Sequence, residues 1–271
     1  MREHLLVLWS LMIGCAAAPA ASTTDRPVAA APAGEPVRAD GDASSMAPQA
    51  TPKGPADAGS DRPDESPAGR PDRGREQEPE EPPPLPEGTM VLHVGSSSAA
   101  SLGQDLKREL EKRGIRSILK AKEATYIPQW AGPTMGLPQL VATHDPDLVI
   151  VNVGGNEVAM ADPSVRAGAI KRLVKTIGDR PCLWIGTPLW KRVPHTGILD
   201  VIRENCAPCR YVDTNALVPG LEPASDGIHP TIPERRRWAK LMIRWMQHNR
   251  DPHGKRPWDF KKELELPPPE E

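Results

Sequence analysis

Asp147-Leu148-Val149-Ile150-Val151-Asn152-Val153-Gly154-Gly155-Asn156-Glu157 is the stretch that decides the fold. An unbroken β-branched run, entered by an acid and left by two glycines, reads as a strand buried on both faces. Such strands belong to parallel sheets, because crossover helices cover both sides. Upstream, Thr89–Val94 is a second apolar run ending at Gly95, and Leu102, Leu106 and Leu110 mark an amphipathic helix stopped by Gly114. Arg116–Lys120 is another strand. Downstream come a helix over Pro163–Ile177, a strand over Cys182–Gly186, a helix over Ile198–Asn205 and a fifth strand over Arg210–Asp213. Trp238, Leu241, Met242 and Trp245, spaced i, i+3, i+4, i+7, form one face of a closing helix. Strands alternating with helices imply an α/β domain with a parallel sheet.

That pattern occupies 89–250 of the 271 residues. Residues 1–14 read as an export signal, with Arg2 ahead of the apolar run Leu5–Trp9 and Leu11–Gly14. Met12-Ile13-Gly14-Cys15 resembles a bacterial lipobox, which implies a lipid on Cys15 and a chain held at the cell envelope, at the outer membrane or in the periplasm. Plain secretion after cleavage at Ala18 or Ala20 is the alternative. Segment 15–88 is Pro/Ala-rich with Leu85 as its only Leu, Ile or aromatic residue, and is expected to be a disordered tether. Such a coil spans on the order of 50 Å. The tail 251–271 is likewise expected to be unstructured. The formal charge of −2 and the scattered basic residues speak against nucleic acid as a partner. A monomer is expected.

Export makes a disulfide plausible. Cys206 and Cys209 form a C-x-x-C without the second pair that a zinc site needs, so no metal is expected. Cys182 opens one strand and Cys209 precedes the next, which favours Cys182–Cys209 over the local pair.

In open parallel sheets ligands bind beyond the carboxyl ends of the strands. Three segments lie there: Gly95-Ser96-Ser97-Ser98, Gly154-Gly155-Asn156-Glu157 and Asp226-Gly227-Ile228-His229-Pro230. Each alone is an ordinary loop, but together they supply a reaction. A serine hydroxyl becomes nucleophilic when a base takes its proton, and an imidazole ordinarily titrates near neutrality. Thus His229 can activate a serine while Asp226 orients the ring. Asn156 and a serine backbone N–H can donate to an oxyanion.

At these residues the chain resembles the SGNH hydrolases, or GDSL esterases and lipases, over essentially all of 89–250. The resemblance implies a flavodoxin-like three-layer α/β/α sandwich with a five-stranded parallel sheet, and ester hydrolysis through an acyl-enzyme without metal or organic cofactor. By motif, Ser97 is the nucleophile, His229 the base, Asp226 its orienting acid and Asn156 an oxyanion donor. The family's first block reads Gly-Asp-Ser, whereas position 96 here is Ser, leaving Ser96, Ser97 and Ser98 as candidates; spacing from Gly95 selects Ser97. A glycine expected after the second strand is also missing, and Ala124 or Thr125 stands in its place as a backbone oxyanion donor. Gly155 and Trp190 are expected in the substrate pocket, whose ligand would be an acylated carbohydrate or lipid. A non-catalytic scaffold and an acyltransferase using the same residues are the alternatives. His93, Trp184, Trp238 and Trp245 are expected in the core, and Arg235–Arg237 on a solvated face.

Overall fold

The computed structural model describes residues 82–191 and 193–269. The export segment 1–14, Cys15 and the tether up to residue 81 lie outside them. The strands are β1 (Met90–Gly95), β2 (Arg116–Ala121), β3 (Leu148–Asn152), β4 (Cys182–Ile185) and β5 (Arg210–Val212). They form one sheet in the order β2-β1-β3-β4-β5, parallel throughout. This is the doubly wound flavodoxin-like order, whose ligand crevice opens at the switch point between β1 and β3. There Gly95 pairs with Asn152, and a Cβ on Gly95 would sit 2.1 Å from the Asn152 carbonyl oxygen. Only glycine permits that approach.

The helices are α1 (Ser97–Glu111), α2 (Ile127–Trp130), α3 (Leu137–His144), α4 (Ala167–Ile177), α5 (Ile198–Asn205), α6 (Thr214–Leu217) and α7 (Ile232–Asn249). Side chains alternate across a strand, so each strand feeds two cores. Val91, Ile150 and Leu183 pack on Leu102, Leu106, Trp238 and Met242 from α1 and α7. Leu92, Val149 and Trp184 face Leu137, Ile170, Leu173 and Ile202 from α3, α4 and α5. The result is three layers. Trp184, Trp238, Trp245 and His93 are buried as anticipated, whereas Leu241 is only half-buried. Burial lowers the His93 imidazole to about 3, so it packs uncharged.

Three features of this frame depart from the sequence reading. Helices α2, α3 and α6 lie where no element was expected; in α3 the buried Leu137 and Val141 are an i, i+4 pair too short to show as a period. Residues 82–88, assigned to the tether, lie on the domain: Leu85 enters the α1/α7 core and the Gly88 N–H donates to the Gly114 carbonyl at 3.0 Å. The tail 251–269 is placed as well, which corrects the expectation of an unstructured 251–271 over those residues. Trp258 is fully buried, its indole N–H donates to Thr89 Oγ1 at 2.9 Å, and Phe260 lies 5.8 Å from Trp245. Asn249 at the end of α7 exchanges two hydrogen bonds with the Glu265 backbone, at 2.8 and 2.9 Å. Two large aromatic rings supply the apolar area that orders this strap.

The strap covers the amino ends of the strands. Asp147, just ahead of β3, accepts the Met90 N–H at 2.7 Å, and Arg256 of the strap pairs with Asp179 ahead of β4. Cys182 and Cys209 are joined at this same edge. Cys206 is free and buried, and burial raises its thiol to about 11, leaving it inert.

Candidate active site

The carboxyl edge is built differently. Ser96 caps α1 and is wholly buried, its Oγ without a hydrogen-bond partner. Ser98 is buried too, and its hydroxyl is shared with Thr187 Oγ1 at 2.9 Å. Only Ser97, half-buried at the first position of α1, presents a hydroxyl that solvent can reach. Of the three candidates Ser97 is thus the one that is not fully buried. Its backbone N–H belongs to the first turn of a 15-residue helix, where donors lack intrahelical acceptors and the dipole favours negative charge.

The loop carrying His229 is held in a defined shape. Pro223 and Pro230 bridge, the Ala224 N–H donates to the His229 carbonyl at 2.7 Å, and the Gly227 N–H to the Ala224 carbonyl at 2.9 Å. Inside it Asp226 Oδ1 accepts the N–H groups of Ile228 and His229, both at 2.9 Å, and Oδ2 meets His229 Nδ1 at 2.8 Å. The His229 and Ile228 N–H groups, then the ring, hold the Asp226 carboxyl far below the usual carboxylate range. With an anion at Nδ1 the imidazole carries its proton there, leaving Nε2 as acceptor. Nε2 is buried and has no hydrogen-bond partner. Ser97 and His229 are thus not bonded to each other in the structure. Hydrogen bonds of this kind are often open until substrate arrives.

A relay of contacts ties these loops together. A Cβ on Gly155 would lie 3.2 Å from both Ser98 Oγ and Thr187 Oγ1, so the turn after β3 packs directly on the start of α1. The Thr187 carbonyl accepts Asn215 Nδ2 at 3.4 Å, and Asn215 Oδ1 accepts the Leu189 N–H at 2.8 Å. Trp190 then donates its indole N–H to the Ile228 carbonyl at 2.7 Å, next to the base. Trp190, half-buried, secures the histidine loop. Arg235 does the same from α7: its Nε donates to the Pro230 carbonyl at 2.9 Å. Arg237 pairs with Glu234 at 2.6 Å and reaches the Pro219 carbonyl at 2.5 Å, so the expected solvated basic face is partly a set of loop anchors. Thr187, Asn215 and Arg235 were invisible as site residues, since their roles depend on contacts far along the chain.

Asn156 is exposed and donates one amide hydrogen to the Thr125 carbonyl at 2.8 Å, leaving its second for a ligand. This bond puts both Ala124 and Thr125 beside the asparagine. Thr125 is buried, with its hydroxyl on the Lys122 carbonyl at 2.6 Å and the Trp130 indole N–H on that hydroxyl at 3.0 Å. Ala124 has φ +54°, a left-handed conformation that costs a residue with a Cβ about 1 kcal/mol. The loop thus keeps the turn that glycine would give, with alanine in it. Glu157 is buried and its Oε1 accepts the Ile127 N–H at 2.7 Å, with Arg166 Nε 3.5 Å away. Burial raises its carboxyl pKa, and the Ile127 N–H and then Arg166 offset part of that.

No family model matches the sequence, and no curated protein does. Solved structures do match. A lipase/acylhydrolase from Enterococcus faecalis is similar at 17% identity, over 59% of this chain and 95% of its own, with a TM-score of 0.49. A member of the lipolytic G-D-S-L family from Veillonella parvula is similar at 13% identity, over 57% and 96%, with a TM-score of 0.43. An acetyl xylan esterase is similar at 16% identity, over 56% and 97%, with a TM-score of 0.45.

Proposed function

We propose that this domain is a serine esterase that cleaves acyl groups through an acyl-enzyme. The observation that carries the reading is the Asp226–His229 pair, which fixes the ring and leaves a buried Nε2 without a partner at the edge where Ser97 is the one of Ser96, Ser97 and Ser98 that is not fully buried. His229 Nε2 takes the Ser97 proton as Oγ attacks the ester carbonyl carbon. The tetrahedral oxyanion then accepts from the Ser97 N–H, the free Asn156 amide hydrogen and an N–H of the Ala124–Thr125 loop. Collapse expels the alcohol, which receives the proton from His229; water repeats the cycle on the acyl-Ser97. Ester hydrolysis is tested with p-nitrophenyl acetate: the full chain turns it over, and Ser97→Ala does not. Undiminished turnover by Ser97→Ala rejects the assignment.

The substrate we propose is an acylated carbohydrate or lipid of the bacterial envelope, reached by a chain lipidated on Cys15. The support is the Met12-Ile13-Gly14-Cys15 segment and the exposed position of Asn156, which suits an ester carried on a bulky scaffold. Acyl transfer to a sugar hydroxyl would use the same residues with a different acceptor. A scaffold without turnover is the competing reading, favoured by the absence of a Ser97–His229 bond and by alanine at 124. A fluorophosphonate separates them, since only an activated serine is labelled.

A further inference from the structure

The chemistry proposed above calls for Asn156 but not for the acid that follows it. Glu157 is 0% exposed, and an ionisable group is buried at a cost unless its bonds justify it. Its Oε1 spans 30 residues of sequence to accept the Ile127 N–H at 2.7 Å. The Ile127 N–H opens α2 and has no acceptor within its own helix. One residue earlier in the same turn, Asn156 holds the Thr125 carbonyl at 2.8 Å. Consecutive side chains from the β3 turn therefore grip Thr125 and Ile127, and the strained Ala124 sits at the edge of that grip. Without it, a residue at φ +54° has reason to relax. Arg166 Nε, at the end of the short 3-10 helix Pro163–Arg166, lies 3.5 Å from the same Oε1, while Oε2 has no hydrogen-bond partner.

We infer that Glu157 is a positioning residue: through Ile127 it holds the Ala124–Thr125 backbone in place as an oxyanion donor beside Asn156. This rests on the esterase reading. A carboxylate serving only to cap α2 would affect stability and leave the ratio of kcat to KM effects unremarkable. A positioning role acts on the transition state, where a misplaced donor costs about tenfold to hundredfold in rate.

The test is p-nitrophenyl acetate kinetics on the full chain with Glu157→Ala, Glu157→Gln, Asn156→Ala and the Glu157→Ala/Asn156→Ala double variant, alongside thermal unfolding. Glu157→Ala should lower kcat about tenfold or more with KM within about threefold. Glu157→Gln, which keeps an acceptor for the Ile127 N–H, should recover most of the loss. In the Asn156→Ala background the Glu157→Ala effect should shrink, because both act on one oxyanion. An unchanged kcat in Glu157→Ala, or losses that simply multiply with no recovery by Gln, overturns the inference while the esterase stands. An inert wild-type protein fails the esterase reading itself and takes the inference with it. If Glu157→Ala does not fold, Glu157→Asp decides: it keeps the charge but draws the acceptor away from Ile127, so an unchanged kcat overturns the inference.

Discussion

The two ends of the sheet make an instructive pair. At the amino ends of the strands, polar groups are matched and covered: Trp258 on Thr89, Asp147 on Met90, Arg256 on Asp179, and a disulfide between the starts of β4 and β5. At the carboxyl ends, groups stay open: His229 Nε2 lacks a partner, Asn156 keeps one hydrogen unused, and Ala124 holds a strained turn. One edge is closed, and on the esterase reading proposed above the other is the reactive one. Buried polar atoms without a partner occur elsewhere too, at Arg250 Nε beside the strap and at Trp238 Nε1, so what sets the carboxyl edge apart is which groups stay open there, an imidazole and a side-chain amide.

That division makes separable predictions. Ser97→Ala should reduce ester turnover by about a thousandfold or more while leaving the melting temperature unchanged, read by kinetics and calorimetry on one sample. Trp258→Ala should do the reverse: a loss of about 3–5 kcal/mol of stability in urea titration, with kcat preserved at temperatures where the protein stays folded. If Trp258→Ala lowers kcat in folded protein, the edges are coupled and the comparison breaks. Asn156→Ala should lower kcat by about a hundredfold, or ~3 kcal/mol of barrier, since it removes one oxyanion donor. Ala124→Gly should have the smallest effect. Releasing the left-handed strain gains about 1 kcal/mol, offset by the greater freedom of an unfolded glycine, so stability should move by less than about 1 kcal/mol. A large loss of stability there would show that the Ala124 methyl is itself needed.

The closed and open edges were unequally legible in the sequence. The sheet could be read because Leu148–Asn152 and its companions are continuous apolar runs, and those report their own burial. The dyad could be read because Asp226 and His229 are three residues apart in one loop, so their partnership is local. Ser97 could be singled out by its spacing from Gly95, but which of the three adjacent hydroxyls the fold covers is visible only in the structure. The strap 251–269 was illegible: its order comes from Trp258 and Phe260 meeting residues far upstream, with no period to announce them. Ala124 carried the opposite signal, because a left-handed turn is announced by glycine and here is enforced by neighbours.

The closed edge also has a direction. The chain enters the domain through Pro86–Thr89, whose contacts reach Gly114 ahead of β2 and Trp258 in the strap, all at the amino ends of the strands. Helix α7 leads from the His229 loop back to that same side, where Asn249 meets Glu265. Tension on the chain ahead of Pro82 would therefore arrive on the face opposite the serine and histidine. Under the anchored esterase proposed above, the domain would be held by its sealed end with Ser97 and His229 turned outward, as a tool is held by the handle.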